Sequence, residues 1–382
     1  MKDFCFSIPQ NVIFGKGSMA KLPEIAKKTG GKKAYIISGP VLEKMGFVDK
    51  CKDYMVQAGY EVHSFTETEA NPSVDTVNRA LAGFKECGAD MIVAFGGGSP
   101  MDVAKAVAVV ATYGGDITDY EGGGKVPGPV VPLIAIPTTA GTGSEVTAFS
   151  VITDHSRNYK LTVFSYHIIP AYAILDSELI MTAPASVAAA CGIDALVHAV
   201  EAYISTDASP FSEAMSEKAM ELIGKNIRRY VANRKDEEAA AAMLTGSLFA
   251  GIAFSWARLG NVHAMSHPVS AYFDVPHGVA NAILLPIVLD YNKLADNGKY
   301  NKIYNYISTN DACPDKFTPD MLVDKIKTLN KLLGIPATLS EVGVAADKIP
   351  GMAADAMKSG NIMVNPRSSS MKDIEALYAA AM

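Results

Sequence analysis

Charge, cysteine, tryptophan and histidine are all scarce in this chain. Of its 382 residues, 19% are charged, five are Cys, one is Trp and seven are His. The cysteines (Cys5, Cys51, Cys87, Cys191 and Cys313) are scattered and form no CxxC pair. That disfavours a disulfide framework or a four-cysteine zinc site and fits a reducing, cytoplasmic setting. No run of 18 consecutive apolar residues free of charge occurs, so no membrane-spanning helix is expected. The start, MKDFCFSIPQNVIFG, lacks an apolar signal core and a small-residue cleavage site, so secretion is not expected either. Net charge is −6 without a basic cluster, which argues against a nucleic-acid partner. Against these absences stands a hydrophobic content of 49%, enough for a large core, and a length that favours two domains.

The two halves read differently. Up to about residue 181, short β-rich runs alternate with helical stretches. Ala34–Ser38, Tyr60–Phe65, Asp90–Phe95, Leu133–Ile136 and Ala173–Leu175 are the expected strands, and 44–58, 73–87 and 100–112 the expected helices. The run DMIVAF is nearly continuous in apolar character, as a strand buried on both faces must be. Such alternation implies a parallel sheet with right-handed crossovers, an α/β dinucleotide-binding domain over 1–181. From 182 to 382 the chain turns Ala- and Met-rich, with long stretches such as Ser186–Tyr203, Ser212–Tyr230 and Glu237–Phe254, and an all-α second domain is expected.

Two loops after strands stand out. Asp90–Phe95 runs into Gly96-Gly97-Gly98-Ser99-Pro100-Met101-Asp102. Ser99 reads as a helix N-cap, Pro100 as first-turn proline and Asp102 as the residue reaching back to the cap. Three glycines before a helix N-terminus let backbone N–H groups approach a pyrophosphate. The loop is neither a Walker A sequence nor a full GxGxxG. The second loop, Pro137–Glu145 (PTTAGTGSE), is dense in hydroxyls and small residues and suits phosphate, ribose or carboxamide contacts.

Four of the seven histidines lie within 80 residues. Asp194 and His198 are spaced i, i+4 on an otherwise apolar helix, CGIDALVHAVEAY, so they share one face. His263 and His267 repeat that spacing, and His277 follows Pro276. Buried acid must be paired or metal-bound, because burying it alone costs several kcal/mol. One Asp and three His in apolar surroundings match a divalent-metal site suited to zinc, iron(II), nickel or manganese. HxxxH is not HExxH, and no GxSxG elbow is present, which disfavours zincin and serine hydrolase chemistry.

With these blocks assembled, the chain resembles the iron-containing (group III) alcohol dehydrogenase family, in the branch of 1,3-propanediol dehydrogenase, lactaldehyde reductase and butanol dehydrogenases. The resemblance spans essentially the whole chain and is carried by GGGSPMDVAKA (96–106), AIPTTAGTGSEVT (135–147), CGIDALVHAVEAYIS (191–205) and HAMSHPVSAYFDVPHGVANAILLP (263–286). It implies a dehydroquinate synthase-like fold, with an α/β N-terminal dinucleotide-binding domain and an all-α C-terminal metal-binding domain. It implies Asp194, His198, His263 and His277 as ligands of Fe(II) or Zn, with His267 near metal and nicotinamide. It places Gly96, Gly97, Gly98 and Ser99 at the pyrophosphate, Thr138, Thr139 and Thr142 along the phosphates and nicotinamide, and Lys160 near the adenosine ribose. The implied reaction is reversible hydride transfer between NAD(P)(H) and a short-chain primary alcohol or diol. His267 is the candidate proton relay, and Phe149, Phe254 and Leu259 are candidate pocket residues. A homodimer or larger homo-oligomer is also implied, with Phe4–Phe14 a candidate strand for pairing across subunits.

One departure matters. NAD-preferring relatives carry an Asp at the end of the first strand, and here Gly39 takes its place, so NADP(H) is expected to be accepted. A glycerol dehydrogenase-like polyol oxidation is the nearer rival. A dehydroquinate synthase-like lyase would need a dense basic site, and no basic residue falls among the ligand motifs. A non-catalytic nucleotide- or metal-binding protein is the remaining alternative.

Overall fold

A computed structural model describes residues 6, 8, 10–309 and 316–382. The chain divides into two compact units. Of the described residues, one comprises 8, 10–139 and 144–181; the other comprises 6, 140–143, 182–309 and 316–382.

The first unit is α/β. Its main sheet is built from β1 (Asn11–Phe14), β2 (Lys33–Ile37), β3 (Glu61–Phe65), β4 (Met91–Gly96), β6 (Leu133–Pro137) and β9 (Tyr172–Leu175), in the order β1-β9-β6-β4-β2-β3. Every pairing in it is parallel. A smaller sheet holds β5 (Gly122–Gly123), β8 (Tyr159–Phe164) and β7 (Phe149–Asp154). Helices α1 (Leu22–Thr29), α2 (Pro40–Lys44), α3 (Phe47–Gln57), α4 (Val74–Cys87), α5 (Gly98–Tyr113) and α6 (Ser177–Ile180) complete the unit. The five expected strands are all present. β4 is buried along its whole length, as its uninterrupted apolar run requires, because helices cover both faces of a parallel sheet. One apolar cluster contains α1, α3 and one face of the strands; the other contains α4, α5 and the opposite face.

Strand order explains where a ligand can go. The chain runs from β2 outward to β3, then crosses back to place β4 on the other side of β2. The crevice at the carboxyl ends of β2 and β4 is therefore a topological switch point, the usual ligand site of open α/β sheets.

The segment expected as one strand from Phe4 to Phe14 is shorter. Phe4 and Cys5 lie outside the described residues, and β1 begins at Asn11 and pairs with β9 of its own chain.

The second unit is helical: α7 (Ala185–Ile204), α8 (Pro210–Ala232), α9 (Glu237–Ala257), α10 (Asn261–Phe273), α11 (His277–Asn292), α12 (Lys299–Ile307), α13 (Pro319–Leu332), α14 (Ile349–Lys358) and α15 (Met371–Ala381). Two of them, α7 and α9, are long and apolar enough to cross a membrane, yet 83% and 72% of their apolar windows are buried inside the protein. They are core helices, apolar all round because neighbours cover every face. α8 shows the opposite design, with Ser209 as N-cap in a reciprocal capping box with Ser212 and Pro210 in the first turn. Among the described residues, no disulfide joins Cys51, Cys87 and Cys191.

Candidate metal centre and cofactor loops

Three helices of the second unit bring the ligand candidates together. α7 carries Asp194 and His198 one turn apart. α10 starts at Asn261, so His263 lies in its first turn. α11 starts at His277 itself, behind Pro276, whose ring sets the entry angle of the chain. The approach of α11 to α7 is close: a Cβ on Gly278 would lie 2.5 Å from the carbonyl oxygen of Ala190, so only glycine fits.

Asp194 Oδ1 lies 3.8 Å from His263 Nε2, 3.8 Å from His277 Nε2 and 3.9 Å from His198 Nε2. Asp194, His263 and His277 each offer a ligand atom within 4.8 Å of the others. A tetrahedral cation with ligand bonds of about 2.1 Å holds its donors roughly 3.4 Å apart, so the 3.8–3.9 Å Asp194–imidazole distances would have to contract around it. Burial and the neighbouring His198 hold the His263 imidazole well below the usual histidine range, which keeps it neutral and able to ligate. His198 stacks on His263 and on Phe254, at ring-centre distances of 4.6 and 4.5 Å. The Nδ1 atom of His198 is buried without a hydrogen-bond partner. The donor set is thus hard carboxylate plus borderline imidazole, with no thiolate, which suits Fe(II) or Zn. His267 is half-buried, its ring centre 5.3 Å from that of His277 and 6.1 Å from that of His263. Leu259 is buried. Phe149 sits in the other unit, on β7, against Phe164.

Two residues around this cluster escape a sequence reading. Glu201 lies seven residues after Asp194 on the same face of α7 and touches His263 Nδ1 at 2.6 Å. Burial pushes its carboxyl up to about 7, against the pull of the N–H groups at Gly260, Val262 and His263. Asn281, four residues after His277, places its amide nitrogen 2.6 Å from Asp194 Oδ1. The i+7 and i+4 spacings were the available signals.

In the first unit the cofactor candidates cluster at the carboxyl ends of adjacent strands. Gly39 follows β2, Gly96 to Ser99 follow β4, and Thr138 and Thr139 follow β6, where Gly96 is paired with Pro137. Gly96 has φ +151, and a Cβ there would meet Pro100 at 2.7 Å, so glycine is required. α5 starts two residues earlier than its sequence suggests. Gly97 is the N-cap with no side-chain cap, Ser99 lies inside the first turn, and the expected Ser99/Asp102 cap does not form. Uncapped N–H groups at that end remain suited to an anion. Lys160 on β8 donates to Asn71 Oδ1 at 2.7 Å. Thr142 belongs to the 140–143 segment, which is part of the helical unit.

Asp102 instead turns to the second loop. It accepts from Ser144 Oγ at 2.9 Å and from the Val151 N–H at 3.3 Å. Lys105, fully buried, donates to Ser144 Oγ, Thr147 O, Thr147 Oγ1 and Phe149 O between 2.8 and 3.2 Å. Burial pulls the Lys105 ammonium down to about 8 and pushes the Asp102 carboxyl up to about 6, each opposed by the other's charge. The four acceptors around Nζ favour the charged ammonium. Helix α5 and the segment 144–151 are thereby fastened together.

Comparison with known proteins agrees with this architecture. Residues 9–177 match the iron-containing alcohol dehydrogenase family, and residues 188–382 match the C-terminal part of the Fe-containing alcohol dehydrogenase family. The chain belongs to the iron-containing alcohol dehydrogenase family and is an oxidoreductase of that class. It is 38% identical over 381 residues to a 1,3-propanediol dehydrogenase of Citrobacter freundii, covering 99% of this chain and 98% of that one. It is 39% identical over 346 residues to an NADPH-dependent butanol dehydrogenase of Clostridium saccharobutylicum, covering 89% and 87%. The solved structure of a 1,3-propanediol oxidoreductase superposes with a TM-score of 0.96 at 38% identity and full coverage of both chains.

Proposed function

We propose that the protein catalyses reversible hydride transfer between a nicotinamide dinucleotide and a short-chain primary alcohol or diol, such as 1,3-propanediol or butanol, with Asp194, His198, His263 and His277 as ligands of a divalent metal, Fe(II) first. The carrying observation is one buried carboxylate oxygen with three imidazole nitrogens 3.8–3.9 Å away. When bound, the metal supplies Lewis acidity toward the substrate oxygen, and the nicotinamide supplies or accepts the hydride. The chain's own residues do the rest. His267 is close enough to His277 to serve the same reacting centre, and its imidazole relays the proton between substrate oxygen and solvent. Phe254, stacked on His198, gives an apolar wall suited to short unbranched chains, and Leu259 is assigned to the same pocket. Gly96 to Ser99 hold the pyrophosphate on the uncapped end of α5, Thr138, Thr139 and Thr142 serve the phosphates and nicotinamide, and Lys160 serves the ribose.

The test is a panel of two- to five-carbon aldehydes and diols against NADPH and NADH, using anaerobically purified protein with metal analysis. Metal-dependent oxidation of the reduced cofactor by propanal or butanal is expected. A rate indifferent to chelator would overturn the metal role, and full turnover by metal-replete His267→Ala would remove the relay.

Cofactor preference is assigned to Gly39. It offers no carboxylate to repel a 2′-phosphate, and a relative 39% identical carries NADPH-dependence in its name. Its backbone (φ −115°, ψ 162°) is extended, so other residues can adopt it, although a Cβ would lie 3.1 Å from the Thr68 carbonyl oxygen. Gly39→Asp is expected to lower the ratio of kcat/KM with NADPH to that with NADH by roughly 10- to 100-fold through like-charge repulsion. An unchanged ratio would count against the assignment.

A further inference from the structure

We propose that Glu201 is a positioning residue that fixes the tautomer of His263, placing the ring proton on Nδ1 and leaving the Nε2 lone pair aimed at Asp194 and His277. The inference rests on the metal reading above and concerns how the apoprotein prepares that site.

Glu201 is 3% exposed. Its Oε1 accepts the Val262 N–H at 2.7 Å, and its Oε2 lies 2.6 Å from His263 Nδ1. Two arrangements would satisfy the second contact. Either Nδ1–H donates to a carboxylate, or a carboxylic acid donates to a bare Nδ1, which puts the ring proton on Nε2.

The opposite side of the ring distinguishes them. His263 Nε2 lies 3.0 Å from Asn281 Nδ2, and an amide nitrogen only donates. A proton on Nε2 would set two donors against each other. Reversing the amide does not rescue that arrangement, because its oxygen would then sit 2.6 Å from Asp194 Oδ1, acceptor against acceptor. Asp194 therefore fixes the Asn281 amide, the amide requires a lone pair on His263 Nε2, and Glu201 receives the proton left on Nδ1. The same amide nitrogen is 3.1 Å from His277 Nε2; with one hydrogen on Asp194, its second can serve His263 or His277 at any moment, and a ring proton on either Nε2 would face a nitrogen that only donates. The chain Asp194, Asn281, His263, Glu201 has one self-consistent proton assignment, and it is the one a metal requires.

Glu201 also bonds the backbone at the first turn of α10. It thus fixes where that helix begins as well as which nitrogen of His263 is bare.

Glu201→Gln keeps the shape and removes one acceptor. If the amide oxygen takes the Val262 N–H, the new NH₂ donates to His263 Nδ1 and drives the proton to Nε2. In the other orientation it confronts the Val262 N–H. Glu201→Asp retains the carboxylate. Anaerobic equilibrium dialysis of the full-length apoprotein with Fe(II) alone is the measurement, alongside thermal midpoints of the apoproteins. Glu201→Gln is expected to bind Fe(II) about 10- to 100-fold more weakly than wild type, with Glu201→Asp recovering most of the affinity. Equal Fe(II) affinity in wild type and Glu201→Gln overturns the inference alone. So does a Glu201→Asp that loses as much affinity as Glu201→Gln, since that would mark a purely packing role. A wild type that binds no Fe(II) overturns the metal reading and this inference with it.

Discussion

Asp194→Ala is expected to abolish Fe(II) retention and to lower kcat/KM for aldehyde reduction by about 10³-fold or more. Lewis-acid stabilisation of the substrate oxygen is worth several kcal/mol, and each 1.4 kcal/mol is a factor of ten. Asp194 is the proposed ligand whose loss should matter most, because its Oδ1 lies within 3.9 Å of all three imidazole nitrogens. It also brings the only formal charge of the four, and a neutral set of imidazoles holds a divalent cation less well. The apoprotein of the variant should still fold, since the hydrogen-bond partner of that carboxylate is the neutral Asn281 amide. The two effects separate in one measurement. Fe(II) at 100 times its dissociation constant should raise wild-type stability by about 2.7 kcal/mol and leave Asp194→Ala unmoved. A variant that retains both the metal shift and turnover would remove Asp194 from the ligand set.

Lys105→Met is expected to cost about 3–5 kcal/mol of stability, the usual result of leaving one partner of a buried charge pair behind. The substitution preserves volume but strips the donor from Thr147 O and Phe149 O and the positive charge from beside Asp102. The loss should depend on pH in a definite direction. Burial already raises the Asp102 carboxyl from 3.8 to about 6, so between those values the folded state binds more protons than the unfolded chain, and this group's contribution falls as pH rises. Without Lys105 the folded carboxyl moves higher still, and the window of falling stability extends upward past pH 6. Urea melts should therefore show a larger deficit for the variant at pH 8 than at pH 5. A deficit that shrinks with rising pH would mean that Asp102 is not the charge left uncompensated.

Much of the architecture was legible along the chain because it depends on local pattern. DMIVAF announces a strand buried on both faces whatever packs against it. Asp194 and His198 must share a face because any helix places i and i+4 together. The Ala-rich stretches after residue 182 could only be helices, and they are. Other features escaped for identifiable reasons. The β7–β8 hairpin turns at Asn158, held at φ 47°, with no Asn-Gly or Asp-Gly signal to mark it. Asp102 fits a local cap by spacing, but Ser144 and Val151, more than 40 residues on, offer it better partners. Glu201 gains its partners only when α10 packs against α7.

The sequence by itself therefore determined the class of each element and the types of donor available: one acid and several imidazoles on helices, glycine and hydroxyl loops after strands. Tertiary structure decided which of them meet. Convergence of α7, α10 and α11 selects His263 and His277 to face Asp194, and Gly278 permits it by letting α11 approach the Ala190 carbonyl. The order of β2 and β4 in the sheet sets Gly39 and the Gly96 loop at one switch point. The physical reason is the range of the interactions. Periodicity and capping act within a few residues, whereas ligand geometry and tautomer choice depend on groups brought within 3 Å from more than 60 residues away.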